Sequence, residues 1–518
     1  MPMIATTAKM SIRGFGGLSY QFTGNPGINS AWLARIGTFG TAVTNKNVAS
    51  RIAVHAATGD FYVGGQENVG TSGIFGFAMT KFSSTGSIAW QKIVGAFNTE
   101  AHVLDCCVDS VGNVYWIGTA QFTSGQPAGY TTNSSRDAYF GKFNSDGTTG
   151  FIKRINITYS TQSYTDSGEA IAYSASDDSI VIAGRTPRMA SATSVVTDAC
   201  FVAKFTTSGT QTWRYTYYNT VTQNQFYAKG VSVDSSGNIY LTVYDVTTSS
   251  GITFLGLNST GGIRFGNKVR MSGSTAIVGY RTTIVNGNIA MAIQGNPPAP
   301  TTTTNLAIVT LYNSTGGIVW QKVVDTTRNT SIAPANFNTS TALSSYVNLQ
   351  GLTSDSSGNV YLAVPGRSGT TADCILLYKF AAADGSVLWI RAIYINSGAA
   401  ATVPTGLQCL GDFLYLIGTT DQETTTQVTT YGNYIFAKLP IDGTAISGTG
   451  YTVSTGISYI NQDVGTFHAT LTPSNLVNDT GLSISNSVAT TAYDGVADVS
   501  LTVNNNTMLV ESKTISIA

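Results

Sequence analysis

Two short patterns alternate along residues 50 to 450, and that alternation constrains the chain more than any other feature. The first is an apolar run, a tight turn and a second apolar run, as in Val231-Ser-Val-Asp-Ser-Ser-Gly-Asn-Ile-Tyr-Leu-Thr-Val243. It recurs seven times, with turns at Gly59-Asp60, Gly112-Asn113, Asp177-Asp178, Gly237-Asn238, Gly287-Asn288, Gly358-Asn359 and Gly411-Asp412. Gly, Asn and Asp tolerate the positive φ of a tight hairpin, and the β-branched and aromatic flanks favour strands. The second pattern is a Lys-Phe-like strand, a Ser/Thr/Gly turn and a strand that often carries Trp, as in Met79 to Val94. Its other copies run through Lys142-Phe143, Lys204-Phe205, Leu257-Asn258, Leu311-Tyr312, Lys379-Phe380 and Lys438-Leu439, and Trp90, Trp213, Trp320 and Trp389 hold equivalent places.

Two hairpins per unit make a four-stranded sheet, and a period of about 50 to 70 residues is that of propeller blades. One such sheet cannot bury both faces alone, whereas radial closure gives every sheet two neighbours. No long 3.6-residue period supports helices. The predicted fold is therefore all-β, a seven-bladed β-propeller of four-stranded antiparallel blades with a C-terminal β appendage or extended tail. Residues 1–27 read as an N-terminal arm, 28–454 as the propeller and 455–518 as the C-terminal segment, where Asp498 to Val503 and Thr507 to Ser512 keep strand alternation. Residues 28–40 carry Trp32 where Trp90 and Trp320 stand in their repeats, with no hairpin before them, so they are a candidate to close the last blade. A second candidate for that place lies around Ala445 to Val453, which leaves the count at seven or at eight with a split blade.

The Asp-Ser-x-Gly-Asn-[Val/Ile]-Tyr cores at Asp109 to Tyr115, Asp234 to Tyr240 and Asp355 to Tyr361, with the Lys-Phe-x-x-x-Gly and Trp elements of the second pattern, resemble bacterial and phage β-propeller repeats of the SBBP type. The resemblance covers roughly residues 28 to 450; the third, fifth and seventh units depart from it at the Asp or at the Gly-Asn pair. It implies a fold, because such propellers serve many roles.

Composition narrows the partners. Charged residues are 10% of the chain, and 27 basic and 27 acidic residues cancel. Nucleic acid and anionic membranes need a concentrated positive field, so neither is expected as a partner. No run of eighteen apolar residues occurs to cross a membrane as a helix, and the first ten residues do not read as a secretory signal. Five cysteines, Cys106, Cys107, Cys200, Cys374 and Cys409, lack Cys-x-x-Cys spacing and sit in apolar runs, as buried free thiols do.

No catalytic, cofactor or metal constellation is expected. His55, His102 and His468 lie in strand-like runs without metal or nucleophile spacing. Asp109, Asp234 and Asp355 precede tight turns and lack the acidic alternation of a calcium loop, so turn capping is the expected role. Propeller enzymes converge polar groups on the innermost strands, and the stretches Ile52 to Val54, Val231 to Val233 and Leu349 to Leu352 read as apolar. Short turns should form one plain face. The long, dissimilar links Thr119 to Asp137, Thr186 to Asp198, Gly295 to Thr304, Asp325 to Ser344 and Thr419 to Asn433 should form a recognition face. Phe122, Tyr130, Phe337 and Tyr431 are its candidate surface contacts, able to stack on a sugar or anchor a protein, or to tuck against their own loops.

The expected role is a non-enzymatic structural virion protein of a bacteriophage, a tail, fibre or baseplate component present in many copies. Its partners would be other virion proteins, met through the N-terminal arm and the C-terminal tail, and a glycan or protein of the host surface. The alternatives are a secreted or surface propeller that binds glycans, which would place it outside the cell, and a propeller enzyme.

Overall fold

The computed structural model describes residues 32–37, 48–68, 75–97, 100–121, 136–157, 166–191, 194–219, 225–245, 251–271, 277–295, 306–324, 351–368, 371–395, 402–420 and 433–443, and the C-terminal strands between 451 and 513. All regular elements among them are β-strands. Seven antiparallel sheets follow one another along the chain. From inside outward, blade one is Val48–Val54, Phe61–Asn68, Phe75–Phe82 and Ile88–Phe97; blade two is Glu100–Val108, Val114–Gln121, Arg136–Phe143 and Thr149–Ile157. Blade three is Ser167–Ser174, Ser179–Ser191, Ser194–Thr206 and Gln211–Asn219; blade four is Phe226–Val233, Ile239–Asp245, Gly251–Leu257 and Ile263–Met271. Blade five is Ile277–Val285, Asn288–Gly295, Leu306–Tyr312 and Ile318–Val324; blade six is Gly351–Ser354, Val360–Ser368, Thr371–Phe380 and Val387–Ile395. Blade seven is Thr402–Leu410, Phe413–Thr420, Asn433–Pro440 and Trp32–Gly37. Each innermost strand packs on the next, and Thr402–Leu410 packs back on Val48–Val54, so the sheets close a ring of seven.

The low charge of the chain follows from this closure. A blade has neighbours on both faces, so its middle strands alternate between two cores and read as nearly continuous apolar runs. In blade one, Phe61 and Val63 pack toward blade seven with Phe436 and Ile417, while Tyr62 packs toward blade two with Cys106 and Trp116. Seven apolar clusters result, one in each seam between blades. Polar residues gather at the turns. Gly112, Gly237 and Gly358 supply φ of +87°, +79° and +84° there, and Asn286-Gly287 takes positive φ at both positions, as a two-residue hairpin of type I′ requires.

Trp32–Gly37 closes blade seven by pairing with Asn433–Pro440. Trp32 stands opposite Lys438 in the register that sets Trp90 opposite Lys81, Trp213 opposite Lys204 and Trp389 opposite Lys379. The rival segment goes elsewhere: Tyr451–Val453 forms a hairpin with Ile457–Gln462 on blade six.

The described C-terminal strands join the blades. They add an antiparallel edge strand to blade after blade, travelling round the rim against the order of the chain. Ile457–Gln462 lies on blade six, Leu476–Asp479 on four, Ile484–Val488 on three, Asp494–Asp498 on two and Val503–Asn505 on one. Leu509–Lys513 then pairs with Trp32–Gly37 on blade seven.

Candidate functional site

The recurring residues of the repeat build the plain face and lock it. Asp109 accepts through Oδ1 from the backbone N–H of Val111 (3.1 Å) and Asn113 (2.8 Å), and through Oδ2 from Asn113 Nδ2 (2.8 Å) and the Tyr115 hydroxyl (3.1 Å). Asp234 and Asp355 accept the same four donors in their own turns. These carboxylates cap turns, as the sequence predicts. Burial raises the pKa of Asp234 and Asp355, but the donated hydrogen bonds outweigh it and hold both below the usual carboxylate range.

In blades one, two, three and six the Lys, with the Trp or Tyr of the same unit, reaches across the seam to a backbone carbonyl in the next blade's second turn. Ser145 O accepts from Lys81 Nζ (3.0 Å) and Trp90 Nε1 (3.2 Å), and Thr207 O from Tyr115 (3.0 Å) and Lys142 (3.1 Å). Ser259 O accepts from Lys204 (3.3 Å) and Trp213 (3.2 Å), and Ile441 O from Lys379 (3.2 Å) and Trp389 (3.1 Å). The repeat signature is thus a device for holding blades together.

The chemically richer place is the axis. In six blades the ladder between innermost and second strands breaks at one level, between Ala49 and Arg51, Val103 and Asp105, Gly168 and Ala170, Ala228 and Gly230, Gly279 and Thr282, and Pro404 and Gly406. The matching stretch of blade six lies outside the described residues. A bulge kinks its strand and re-aims a side chain. It also drives backbone against the second strand: a Cβ on Gly118 would stand 2.1 Å from His102 O, and one on Gly184 would stand 1.9 Å from Ser167 O.

At or next to these bulges stand Arg51, Asp105, Glu169, Lys229 and Arg281. Asp105 is fully buried; its Oδ1 accepts from Arg281 NH1 (2.7 Å) and Cys106 N (3.0 Å) and lies 3.4 Å from Arg51 Nε. Its Oδ2 accepts from Ile171 N at 3.0 Å. Blades two and five are not neighbours, so the Asp105–Arg281 pair spans the interior of the ring. Arg51 NH1 also donates to Ser50 O and, at 3.1 Å, to Thr405 O of blade seven. Glu169 accepts from Lys229 (2.9 Å) and Ser167 (2.6 Å), and Ser167 shares a 2.8 Å hydrogen bond with Thr119. Beside this group, Tyr227 lies 5.1 Å from Tyr244, with Lys229 5.0 Å and Arg185 5.4 Å from its ring centre.

Burial pulls the Arg51 guanidinium down to about 10; Asp105 opposes that fall and Arg281 adds to it. For Arg281 burial acts downward too, but Asp105 prevails and its pKa is raised. Burial pushes the Glu169 carboxyl up, yet Lys229 and Ser167 outweigh it, so it titrates below its ordinary value.

The sequence reading of the innermost strands as apolar is corrected here. Five of the seven place a charged residue at or beside the bulge, because a bulge breaks the alternation from which inward and outward positions are read. Aligned on their bulges, Arg51 and Asp105 occupy a position that is Ala170, Gly230, Thr282 and Gly406 elsewhere, and that contrast is the signal in the sequence. A second correction concerns Thr186 to Asp198, expected as a loop. It continues the hairpin of blade three, with Arg188 opposite Thr197 and Ser191 opposite Ser194, and the β-branched run Val195-Val-Thr197 favours strand.

The contact candidates Phe122, Tyr130, Phe337 and Tyr431 lie outside the described residues, as do most of the long links. His55 bonds Thr58 Oγ1 (3.0 Å) and Ser110 O (3.2 Å) at the seam of blades one and two, a structural arrangement; His468 lies outside the described residues. Cys106 and Cys200 are buried free thiols, and Cys107 and Cys409 are half-buried. Burial pushes Cys200 and Cys409 up to about 12, far from the reactive thiolate range. Among the described residues no group of three or more His, Cys, Asp and Glu side chains is placed to hold a metal, and no helix is long and apolar enough to cross a membrane.

No family model matches the chain, and no curated protein matches it. Among solved structures it is similar to a phage phi92 endosialidase, with 10% identity, a TM-score of 0.41 and coverage of 79% of this chain and 69% of that one. It is also similar to a quinohemoprotein alcohol dehydrogenase of Pseudomonas putida, with 10% identity, a TM-score of 0.32 and coverage of 76% of each chain. At such identities no activity carries over; the chain is an all-β, seven-bladed propeller on its own strand pairing.

Proposed function

We propose that this protein is a non-enzymatic structural component of a bacteriophage particle, in a tail, fibre or baseplate, that serves as a rigid docking platform. The observation that carries the reading is the rim. Six blades end in short strands of the chain's own C-terminal segment, and the open edge of such a strand is where another chain can pair. A body held by seven apolar seams, with charge too sparse for repulsion between copies, suits a multi-copy assembly. The long-link face would meet the host surface. The axial carboxylates support a role without catalysis: Asp105 is saturated by donors and Glu169 is held by Lys229 and Ser167, so neither is free to act as a base. Mass spectrometry of purified particles from a host carrying the gene should find the protein in multiple copies. Its absence from particles refutes the reading.

A further inference from the structure

We propose that the axis of the ring binds a single oxyanion, the carboxylate or phosphate group of a small ligand, between Arg51 and Arg281. The argument is one of charge. Among the described residues the axial cluster pairs Lys229 with Glu169 and sets two guanidiniums, Arg51 and Arg281, on the single carboxylate of Asp105, so it holds one more cation than carboxylates. The carboxylates cannot spread to cover it. Asp105 already takes Cys106 N, Ile171 N and the guanidinium of Arg281 with Arg51 alongside, and Glu169 takes Lys229 and Ser167.

Donors remain on the cationic side. Arg51 is 5% exposed, and its Nε lies 3.4 Å from Asp105 Oδ1 without a hydrogen bond to it. Arg281 is 20% exposed and uses only NH1, on Asp105; its other nitrogens meet no acceptor among the described residues. Two guanidiniums that share one carboxylate oxygen repel each other in a poorly solvated place, and an anion between them relieves that repulsion. Seven converging strands supply low-dielectric walls that focus the field. Arg forks fit the planar oxygens of carboxylate and phosphate alike. One surplus charge sets the stoichiometry at a single group, and the remainder of the chain, whose charges sum to one negative, gives a polyanion nothing to follow.

The test uses the full chain and titration calorimetry with acetate, inorganic phosphate and sulfate at constant ionic strength, chloride being the reference. One equivalent of acetate or phosphate should bind and raise the unfolding midpoint with dose. Arg281→Gln, at a partly exposed position, should weaken that binding at least ~10-fold through loss of a charge-assisted hydrogen bond. Arg281→Lys, which keeps the charge and loses the fork, provides the comparison should Arg281→Gln not fold. A stronger response to acetate identifies a carboxylate ligand and a stronger response to phosphate a phosphorylated one. Absence of binding by all three anions, or equal binding by wild type and a folded variant, overturns the proposal. It holds whether or not the ring belongs to a particle.

Discussion

Replacing Asp105 by Ala should cost more stability than any other single truncation on the innermost strands. The carboxylate is fully buried and joins blade two to Arg51 of blade one, Ile171 of blade three and Arg281 of blade five. Truncation strands two guanidiniums, one of them 5% exposed, and leaves the Ile171 N–H without its acceptor. Removing one partner of a buried ion pair costs about 3–5 kcal/mol, because the charge left behind is uncompensated. Urea unfolding followed by tryptophan fluorescence reads the change, with Leu104→Ala on the same strand as the apolar control. A second substitution separates charge from packing. In Asp105→Ala with Arg281→Met one stranded cation is gone, and the double variant should recover at least ~1 kcal/mol relative to the sum of the singles. If Asp105→Ala costs no more than Leu104→Ala, or the two changes simply add, the axial network does not brace the ring.

Three further outcomes follow from the same geometry. Asp355→Asn keeps an acceptor for the backbone N–H groups of Ser357 and Asn359 but turns an NH2 toward Asn359 Nδ2 and the Tyr361 hydroxyl, so it should lower stability by about 1–3 kcal/mol in urea unfolding. Trp389→Phe removes the donor to Ile441 O and part of the ring that packs on Tyr361 and Arg391, a cost of about 1–3 kcal/mol by the same measurement. Because the Glu169 carboxyl titrates lower folded than unfolded, its contribution is complete above the unfolded value of 4.5 and is lost as pH falls through the lower folded value. Urea midpoints measured downward from pH 5 should therefore fall less steeply in Glu169→Gln than in wild type.

The blades were legible because each is specified locally. A turn such as Asp234 to Tyr240 contains its own cap, its own positive-φ glycine and its own β-branched flanks, and a hairpin needs nothing more to declare itself. Equivalence of Trp32 with the other tryptophans was legible for the same reason, since register repeats with sequence. The axial site was not. Arg51, Asp105 and Arg281 are single charges on strands far apart in the chain, and only closure of the ring and the bulges beside them bring them within reach of one another. The tail was half legible: alternation around Asp498 to Val503 and Thr507 to Ser512 announces strands. Which edge each strand joins depends on backbone pairing, which is blind to side-chain type, and Val503–Asn505 against Ile88–Phe97 is such a case.

The interposed strand Trp32–Gly37, held between Asn433–Pro440 on one side and Leu509–Lys513 on the other, imposes an order on synthesis. It leaves the ribosome roughly 400 residues before the first of those partners and must wait, unpaired, through the making of six blades. Ring closure is therefore a late event, and the arrival of Leu509–Lys513 seals it later still. A ribosome that stalls within the final unit releases an open arc with two raw apolar faces, those of blades one and six that blade seven would cover, the species that a chaperone or a protease would be expected to meet.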